Sequence, residues 1–173
     1  MSDVVRAAVW IPPDGEAVEP VNKLMRKARA MFDGPIFKPH VTLLSGIETT
    51  WVDADRKLQK LARAMPPFAI ELNRIDWRAE YFRALFVAAR LSPALATAKA
   101  RAHEAFEMNP PDAYEPHLSL AYGKFSDAAR EAFASAGGII DIRFSADRLQ
   151  LVTAAKGIPT REWRLLAEYP LSG

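Results

Sequence analysis

Short apolar or alternating segments recur along the chain and predict eight β-strands. Each segment is rich in β-branched or aromatic residues, or alternates between apolar and polar positions. The predicted strands are Val4–Ile11, His40–Ser45, Phe68–Trp77, Tyr81–Leu91, His117–Tyr122, Ile139–Phe144, Arg148–Ala155 and Glu162–Tyr169. The segment from Asn73 to Leu91 is typical of a hairpin that turns near residues 78–80.

Segments with apolar residues at helical spacing lie between these strands and predict four α-helices. They are Glu19–Phe32, Asp53–Met65, a segment from Pro93 to about Met108, and one from Ser126 to about Ser135. Ser92 and Ser126 are suited to cap the last two helices. The alternation of elements, together with the hairpin, favours an α+β fold with an antiparallel sheet over a doubly wound parallel fold.

One ten-residue pattern occurs twice, at residues 37–46 and 114–123. Both copies read aromatic, charged, Pro, His, aliphatic, hydroxyl, Leu, two further residues and Gly, at an offset of 77 residues without a gap. Each copy follows one predicted helix and precedes another. This arrangement indicates a duplicated half-domain.

Strand geometry gives the repeated pattern a chemical meaning, because alternate side chains share one face. His40 and Thr42 are therefore expected on one face of their strand, and His117 and Ser119 on one face of theirs. If a pseudo-two-fold axis relates the two copies, both polar pairs converge on one cleft. One imidazole can then act as base and the other as acid near neutral pH, while the hydroxyls hold a phosphate. This chemistry suits a phosphodiester and needs no metal ion or other cofactor.

Other interpretations of the histidines fit the sequence less well. A zinc site lacks an HExxH motif or a carboxylate cluster, and a serine hydrolase lacks a GxSxG motif around Ser119. A lone strand histidine is usually structural, but the duplication and the shared hydroxyl favour a functional role here. The third histidine, His103, has no such context and is expected at the surface or at the edge of the core.

Composition narrows the protein class. The 173 residues are half hydrophobic and one quarter charged, which predicts one globular domain over residues 1–173. The absence of cysteine excludes disulfides, iron–sulfur clusters and a cysteine nucleophile. A net charge of +2 disfavours a DNA partner but is compatible with one basic cleft. We find no signal peptide or membrane span, and we expect a cytoplasmic monomer.

The paired motifs resemble the two His-x-Thr/Ser motifs of the 2H phosphoesterase superfamily. Further similarity, to the plant and yeast type of cyclic phosphodiesterase, covers nearly the whole chain. It includes residues 9–12, 23–25, 32–42, 82–87, 114–122 and 148–163. Unlike the plant enzymes, this chain has no cysteines.

The resemblance implies a bilobal α+β fold in which two antiparallel sheets with outer helices form a central groove. It implies hydrolysis of ADP-ribose 1″,2″-cyclic phosphate to ADP-ribose 1″-phosphate, and of nucleoside 2′,3′-cyclic phosphates to 2′-phosphates. The matching positions make His40 and His117 the catalytic pair and Thr42 and Ser119 the phosphate-binding residues. We expect His117 to activate water and His40 to protonate the leaving oxygen, although the sequence is nearly symmetric in this respect.

Three further residues are candidates for substrate binding. Trp10 and Tyr122 match aromatic positions beside the family's groove. Trp10 is expected either to stack on a base or ribose or to lie in the core. Strand alternation places Tyr122 opposite His117 unless the strand ends or bulges before it. Arg83 is a cation near the end of a predicted strand, where it is expected either to bind the diphosphate of the substrate or to remain in solvent.

Two alternatives to a cyclic nucleotide phosphodiesterase stay open. One is an RNA-acting member of the superfamily, either 2′-5′ RNA ligase-like or an RNA end-processing phosphodiesterase, with RNA ends as partners. The other is a non-catalytic nucleotide-binding module. Both intact His-x-Thr/Ser pairs argue against the second alternative.

Overall fold

The structure is a computed structural model that describes residues 3–173. The strands are β1 Val4–Ile11, β2 Val41–Thr50, β3 Phe68–Asp76, β4 Leu85–Ala89, β5 His117–Ala121, β6 Ile142–Ala146, β7 Arg148–Val152 and β8 Leu165–Pro170. The helices are α1 Val18–Met31, α2 Trp51–Arg63, α3 Pro93–Ala105 and α4 Asp127–Ala136. Within residues 3–173, no helix is long and apolar enough to cross a lipid bilayer.

All strand pairs are antiparallel, and the strand order is β6-β3-β4-β5-β2-β1-β7-β8. The α+β antiparallel fold expected from the sequence is therefore confirmed. Two four-stranded halves meet at the centre, where β2 and β5 are joined by a single residue pair, Val41 opposite Leu118. The two sheets expected on either side of a groove are thus the halves of one sheet with a narrow junction.

The chain runs through the same order of elements twice, as β1-α1-β2-α2 and as β4-α3-β5-α4. The strands that carry the two motifs, β2 and β5, become neighbours at the junction of the halves. Each half also sends a helix across to the other, since α3 contacts β2 and α1 contacts β5. The helices therefore hold the two motif strands together in addition to the single backbone pairing.

Side-chain caps define where three of the helices begin. The Ser92 and Ser126 hydroxyls accept hydrogen bonds from the backbone of Leu95 and Ala129, both at 3.2 Å, as the sequence predicts. The Thr50 hydroxyl caps α2 by accepting from the Asp53 backbone at 3.2 Å. Because of this cap, α2 begins at Trp51, two residues before the predicted start.

The predicted strand Tyr81–Leu91 is wrong over its first residues. Tyr81–Arg83 form a 3-10 turn, and β4 begins only at Leu85. The Arg78 backbone N–H donates to the Arg83 carbonyl at 2.8 Å, so residues 78–83 close a loop instead of pairing with a neighbouring strand. The chain between β7 and β8 is likewise irregular and holds a 3-10 turn at Thr160–Glu162, where the sequence predicted the start of a strand. Both loops border the candidate site.

Candidate active site

The junction between β2 and β5 brings the two sequence motifs together. Val41 and Leu118, which pair across it, stand at the same offset of 77 residues as the motifs themselves. Equivalent residues that face each other in an antiparallel pair mark a local two-fold axis. In such a pair, the residue after Val41 faces the residue before Leu118, and the residue before Val41 faces the residue after Leu118. Thr42 therefore lies across from His117, and His40 lies across from Ser119.

The two faces of this junction differ in character. Val41 and Leu118 are completely buried on the helix-covered face. The residues on either side of Val41 and of Leu118 point to the opposite face of the sheet. Both histidines and both hydroxyls therefore share that face. The structure thus brings His40, Thr42, His117 and Ser119 together, as the repeated pattern suggests.

Both histidines are oriented by the same local hydrogen bond. His40 Nδ1 lies 2.7 Å from the Lys38 carbonyl, and His117 Nδ1 lies 2.8 Å from the Glu115 carbonyl. Since a carbonyl oxygen can only accept, Nδ1 carries the proton in each ring. Nε2 is then the nitrogen with a free lone pair in the neutral form of both imidazoles.

The surroundings favour the neutral form of both rings. Burial, reinforced by repulsion from a charged His117 and opposed by the Lys38 carbonyl, lowers the pKa of His40 to about 3. Burial and the positive charges of Arg83 and Arg78 lower the pKa of His117 to about 4. The unliganded pair is therefore neutral at pH 7, and two imidazolium ions disfavour each other.

An aromatic ring packs beside each imidazole. The Trp10 ring stacks on His40 with centroids 3.5 Å apart and planes 5° from parallel, and the side chain is buried. Of the two expectations for Trp10, the structure thus shows a buried residue, and one that contacts the candidate histidine directly. The Phe86 ring lies 4.8 Å from His117 at 50°.

Phe86 is the structural counterpart of Trp10. Trp10 pairs with Thr42, while Phe86 pairs with Ser119, the equivalent hydroxyl of the second motif. Sequence reasoning missed Phe86 because 33 positions separate Phe86 from Ser119, against 32 between Trp10 and Thr42, and this difference of one residue breaks the offset of 77 residues. A search for an aromatic residue one position to either side of that offset would have found it.

The two hydroxyl residues sit differently. Ser119 is buried, and its hydroxyl makes a long hydrogen bond of 3.5 Å to the Phe82 carbonyl. Thr42 is half-buried, and its backbone carbonyl accepts a hydrogen bond of 2.9 Å from the Tyr114 hydroxyl. Tyr114 opens the second motif, so this bond ties one motif to the other.

Tyr122 does not follow the strand alternation, because β5 ends one residue earlier at Ala121. Its ring stacks on Phe37 with centroids 3.9 Å apart, and its pKa is raised by burial while a hydrogen bond with Ser119 opposes the rise. Gly34 allows this packing, since a Cβ there would lie 2.5 Å from the Tyr122 carbonyl. Tyr122 is therefore close to Ser119 and not on the opposite side of the sheet.

Arg83 lies close enough to His117 to affect its pKa, and it forms an ion pair with Glu115. Arg78 forms a second ion pair with the same carboxylate. Sequence reasoning missed Arg78 and Glu115, because nothing in the sequence links an arginine to a carboxylate 37 residues away. The result is a cluster of two arginines and one carboxylate close to His117.

His103 lies in α3 and is buried. Burial lowers the pKa of its imidazole, and the positive charge of Lys99 lowers it further. Neither of its ring nitrogens makes a well-formed hydrogen bond within the described part of the chain. In the same part of the chain, no group of three or more His, Cys, Asp or Glu side chains is arranged to hold a metal ion.

Solved structures share the fold. TT0787 of Thermus thermophilus is 19% identical, with a TM-score of 0.67 over 97% of this chain and 98% of that chain. A phosphoesterase is 13% identical, with a TM-score of 0.66 over 99% and 100% of the two chains. E. coli LigT complexed with 3′-AMP is 15% identical, with a TM-score of 0.64 over 99% and 100%. At these identities the likeness concerns the fold.

Family membership follows from the sequence comparison. No curated protein matches the chain. The family described as the 2′-5′ RNA ligase superfamily matches residues 12–157, a range that contains both motifs and all four helices. The chain therefore belongs to the 2′-5′ RNA ligase superfamily, the 2H phosphoesterases.

Proposed function

We propose that the protein is a cyclic phosphodiesterase that acts without a metal ion. Its substrates are ADP-ribose 1″,2″-cyclic phosphate and nucleoside 2′,3′-cyclic phosphates, which it opens to the 1″-phosphate and the 2′-phosphates. The supporting observation is the convergence of two His-hydroxyl pairs around the local two-fold axis at Val41 and Leu118. We propose further that the protein works as a monomer on these small molecules.

The reaction needs one base and one acid, and the two imidazoles are assigned these parts. His117 Nε2 takes a proton from water, whose oxygen forms the new bond to phosphorus. The bond from phosphorus to the ribose oxygen breaks, and that oxygen receives a proton from His40 Nε2. The product is a monoester, and each step of proton transfer contributes about 10²–10⁴-fold to the rate.

The electrostatic difference between the two rings supports this assignment. Arg83 and Arg78 disfavour a proton on His117, which suits a base. The parallel Trp10 ring favours a cation on His40, which suits an acid. Deeper burial leaves His40 with the lower pKa before substrate binds. The negative charge of the bound phosphate then favours one proton on the pair, carried by His40 Nε2, while His117 Nε2 keeps the lone pair that accepts the proton from water.

The two hydroxyls complete the arrangement. Thr42 and Ser119 lie across from the histidines, where they can donate hydrogen bonds to the non-bridging phosphate oxygens. Donors that are held in place before the reaction stabilise the charge that develops on these oxygens.

Turnover of adenosine 2′,3′-cyclic phosphate in the presence of a chelator tests the proposal, with the product identified by ³¹P NMR. We expect adenosine 2′-phosphate, and we expect His40→Gln and His117→Gln each to lower kcat at least 10²-fold. His103→Gln is the matched control, since it replaces the third histidine, and circular dichroism checks the folding of all variants. Full activity of His117→Gln with chelator present would overturn the proposed mechanism.

A panel of substrates separates the remaining classes. Turnover of an RNA with a cyclic phosphate end, but not of the small cyclic phosphates, would identify an RNA-acting enzyme. Binding of adenosine 2′-phosphate without turnover of any cyclic phosphate would identify a binding module. Either result contradicts the proposed substrate class.

A further inference from the structure

A cavity of about 500 Å³ opens beside His40. Its lining includes Trp10, which stacks on His40, and residues 36–39, the last three of which begin the first motif. The indole ring of Trp10 therefore contacts both the cavity and His40 of the candidate active site. A substrate whose phosphate lies between the two histidines would extend towards it.

The walls of this cavity are strongly basic. Arg29 of α1, Lys38, and Arg161 and Arg164 of the loop before β8 line it, and we refer to it as the cationic cavity. All four side chains are exposed, and the carboxylate paired with Arg161 is Glu162, at 3.5 Å. Four cations at one cavity stand out in a chain whose net charge is only +2. Such a cluster is suited to an anionic ligand.

The floor of the cationic cavity is aromatic and held in place. Trp163 lines it, and its indole N–H donates to the Ile158 carbonyl at 3.0 Å. The Trp163 ring packs edge-on against Trp10, with centroids 5.6 Å apart. Arg164 is fixed in a similar way, because it donates to the backbone carbonyls of Arg161 and Trp163. A fixed aromatic floor with basic walls is suited to a phosphorylated sugar or nucleoside.

We propose that the cationic cavity binds a second phosphate of the substrate, carried on the 5′-oxygen of the ribose whose cyclic phosphate is opened. The inference rests on the proposed function and specifies its substrate class. A cyclic phosphate already occupies two hydroxyls of its ribose, so the 5′-oxygen is where a further phosphate is joined. Both the diphosphate of an ADP-ribose derivative and the preceding phosphodiester of an RNA end have this chemistry.

Paired substrates test the second phosphate directly. The kcat/KM of adenosine 2′,3′-cyclic phosphate is compared with that of its 5′-phosphorylated form. We expect the 5′-phosphate to raise kcat/KM about 10- to 100-fold, the range for one charge-assisted hydrogen bond. We also expect this preference to decrease as salt is added. Equal kcat/KM for the two substrates would overturn the inference.

Charge-removing variants then locate the effect. The double variant Arg29→Gln/Arg161→Gln should reduce the ratio of the two kcat/KM values towards one. Arg26→Gln is the matched control, since Arg26 lies on the same helix, is exposed and pairs with Glu19. A double variant that slows both substrates by the same factor would show that the phosphate binds elsewhere.

Binding experiments keep this inference separate from the proposed reaction. Calorimetry compares adenosine 2′-phosphate with adenosine 2′,5′-bisphosphate, neither of which requires turnover. Tighter binding of the bisphosphate, lost in the double variant, supports the cavity even if no cyclic phosphate is hydrolysed. Equal binding of the two ligands overturns it even in an active enzyme. A dinucleotide with a cyclic phosphate end and ADP-ribose cyclic phosphate, assayed side by side, identify the natural source of the second phosphate.

Discussion

The two buried histidines should make the stability of the protein depend on pH well above the range in which carboxylates titrate. In the folded protein the pKa of His40 is about 3 and that of His117 about 4, whereas the ordinary value is 6.5. Below pH 6.5 the unfolded chain therefore binds protons that the folded chain does not. The free energy of unfolding is at its full value above pH 6.5 and decreases as the pH falls from there towards 4 and 3.

The magnitude follows from the unfolded state. At pH 5 both folded histidines remain largely neutral, so the loss depends mainly on the unfolded pKa of 6.5. Between pH 7.5 and pH 5 each histidine then costs about 2 kcal/mol, and the pair about 4 kcal/mol. This is a large part of the 5–15 kcal/mol that typically stabilises a domain.

Urea denaturation at pH 7.5, 6.5 and 5 measures this loss in buffers free of phosphate, the group that the site is proposed to bind. The comparison is between the wild-type protein and the double variant His40→Gln/His117→Gln, which removes both titrating groups. His103, whose pKa is also lowered by burial, is present in both proteins, so its contribution cancels. We expect the wild-type protein to lose about 4 kcal/mol more than the double variant between pH 7.5 and 5.

Equal pH dependence in the two proteins would refute this reasoning. It would mean that the histidines keep ordinary pKa values and are accessible to water. Carboxylates do not obscure the result, because those with lowered pKa values, such as Asp53 and Asp76, titrate below pH 5. Their effect on stability has the same sign but lies mainly outside the window measured.

Two further substitutions test the surroundings of the site. Arg83→Gln removes a positive charge that lowers the pKa of His117, so the acidic limb of the pH profile of kcat/KM should move to higher pH. Arg83→Lys keeps the charge and should return the limb to its wild-type position. A limb that does not move in Arg83→Gln would contradict the influence assigned to Arg83. Tyr114→Phe removes the hydrogen bond to the Thr42 carbonyl and should lower the free energy of unfolding by about 1 kcal/mol in urea denaturation. The exposed Tyr81→Phe is its control, and equal stability of the two variants would show that the bond contributes nothing.

The sequence was sufficient where structure depends on local or repeated patterns. The offset of 77 residues identified both motifs, and strand alternation placed their histidines and hydroxyls on one face. Serine caps and glycine or proline ends located the helices to within a few residues. These features depend on neighbours in the chain, and a single sequence records them directly.

The sequence was insufficient where a contact joins distant segments or a strand departs from regular geometry. One additional residue between Phe86 and Ser119 hid the counterpart of Trp10, and the end of β5 at Ala121 released Tyr122 from the alternation. The ion pairs of Glu115 and the stacking of Tyr122 on Phe37 arise from tertiary packing. No pattern within either segment encodes such contacts.

The asymmetry of the site has its origin outside the repeated motif. Within the motif the two copies are equivalent, because each histidine donates from Nδ1 to the carbonyl two residues before it. Acid–base chemistry nevertheless requires the two ends of the pair to differ. The differences come from β1 and from the segment before β4, which place Trp10 on one imidazole and Arg78 and Arg83 near the other. A duplicated backbone can thus provide two equivalent imidazoles, while residues outside the repeated motif give the two rings different surroundings.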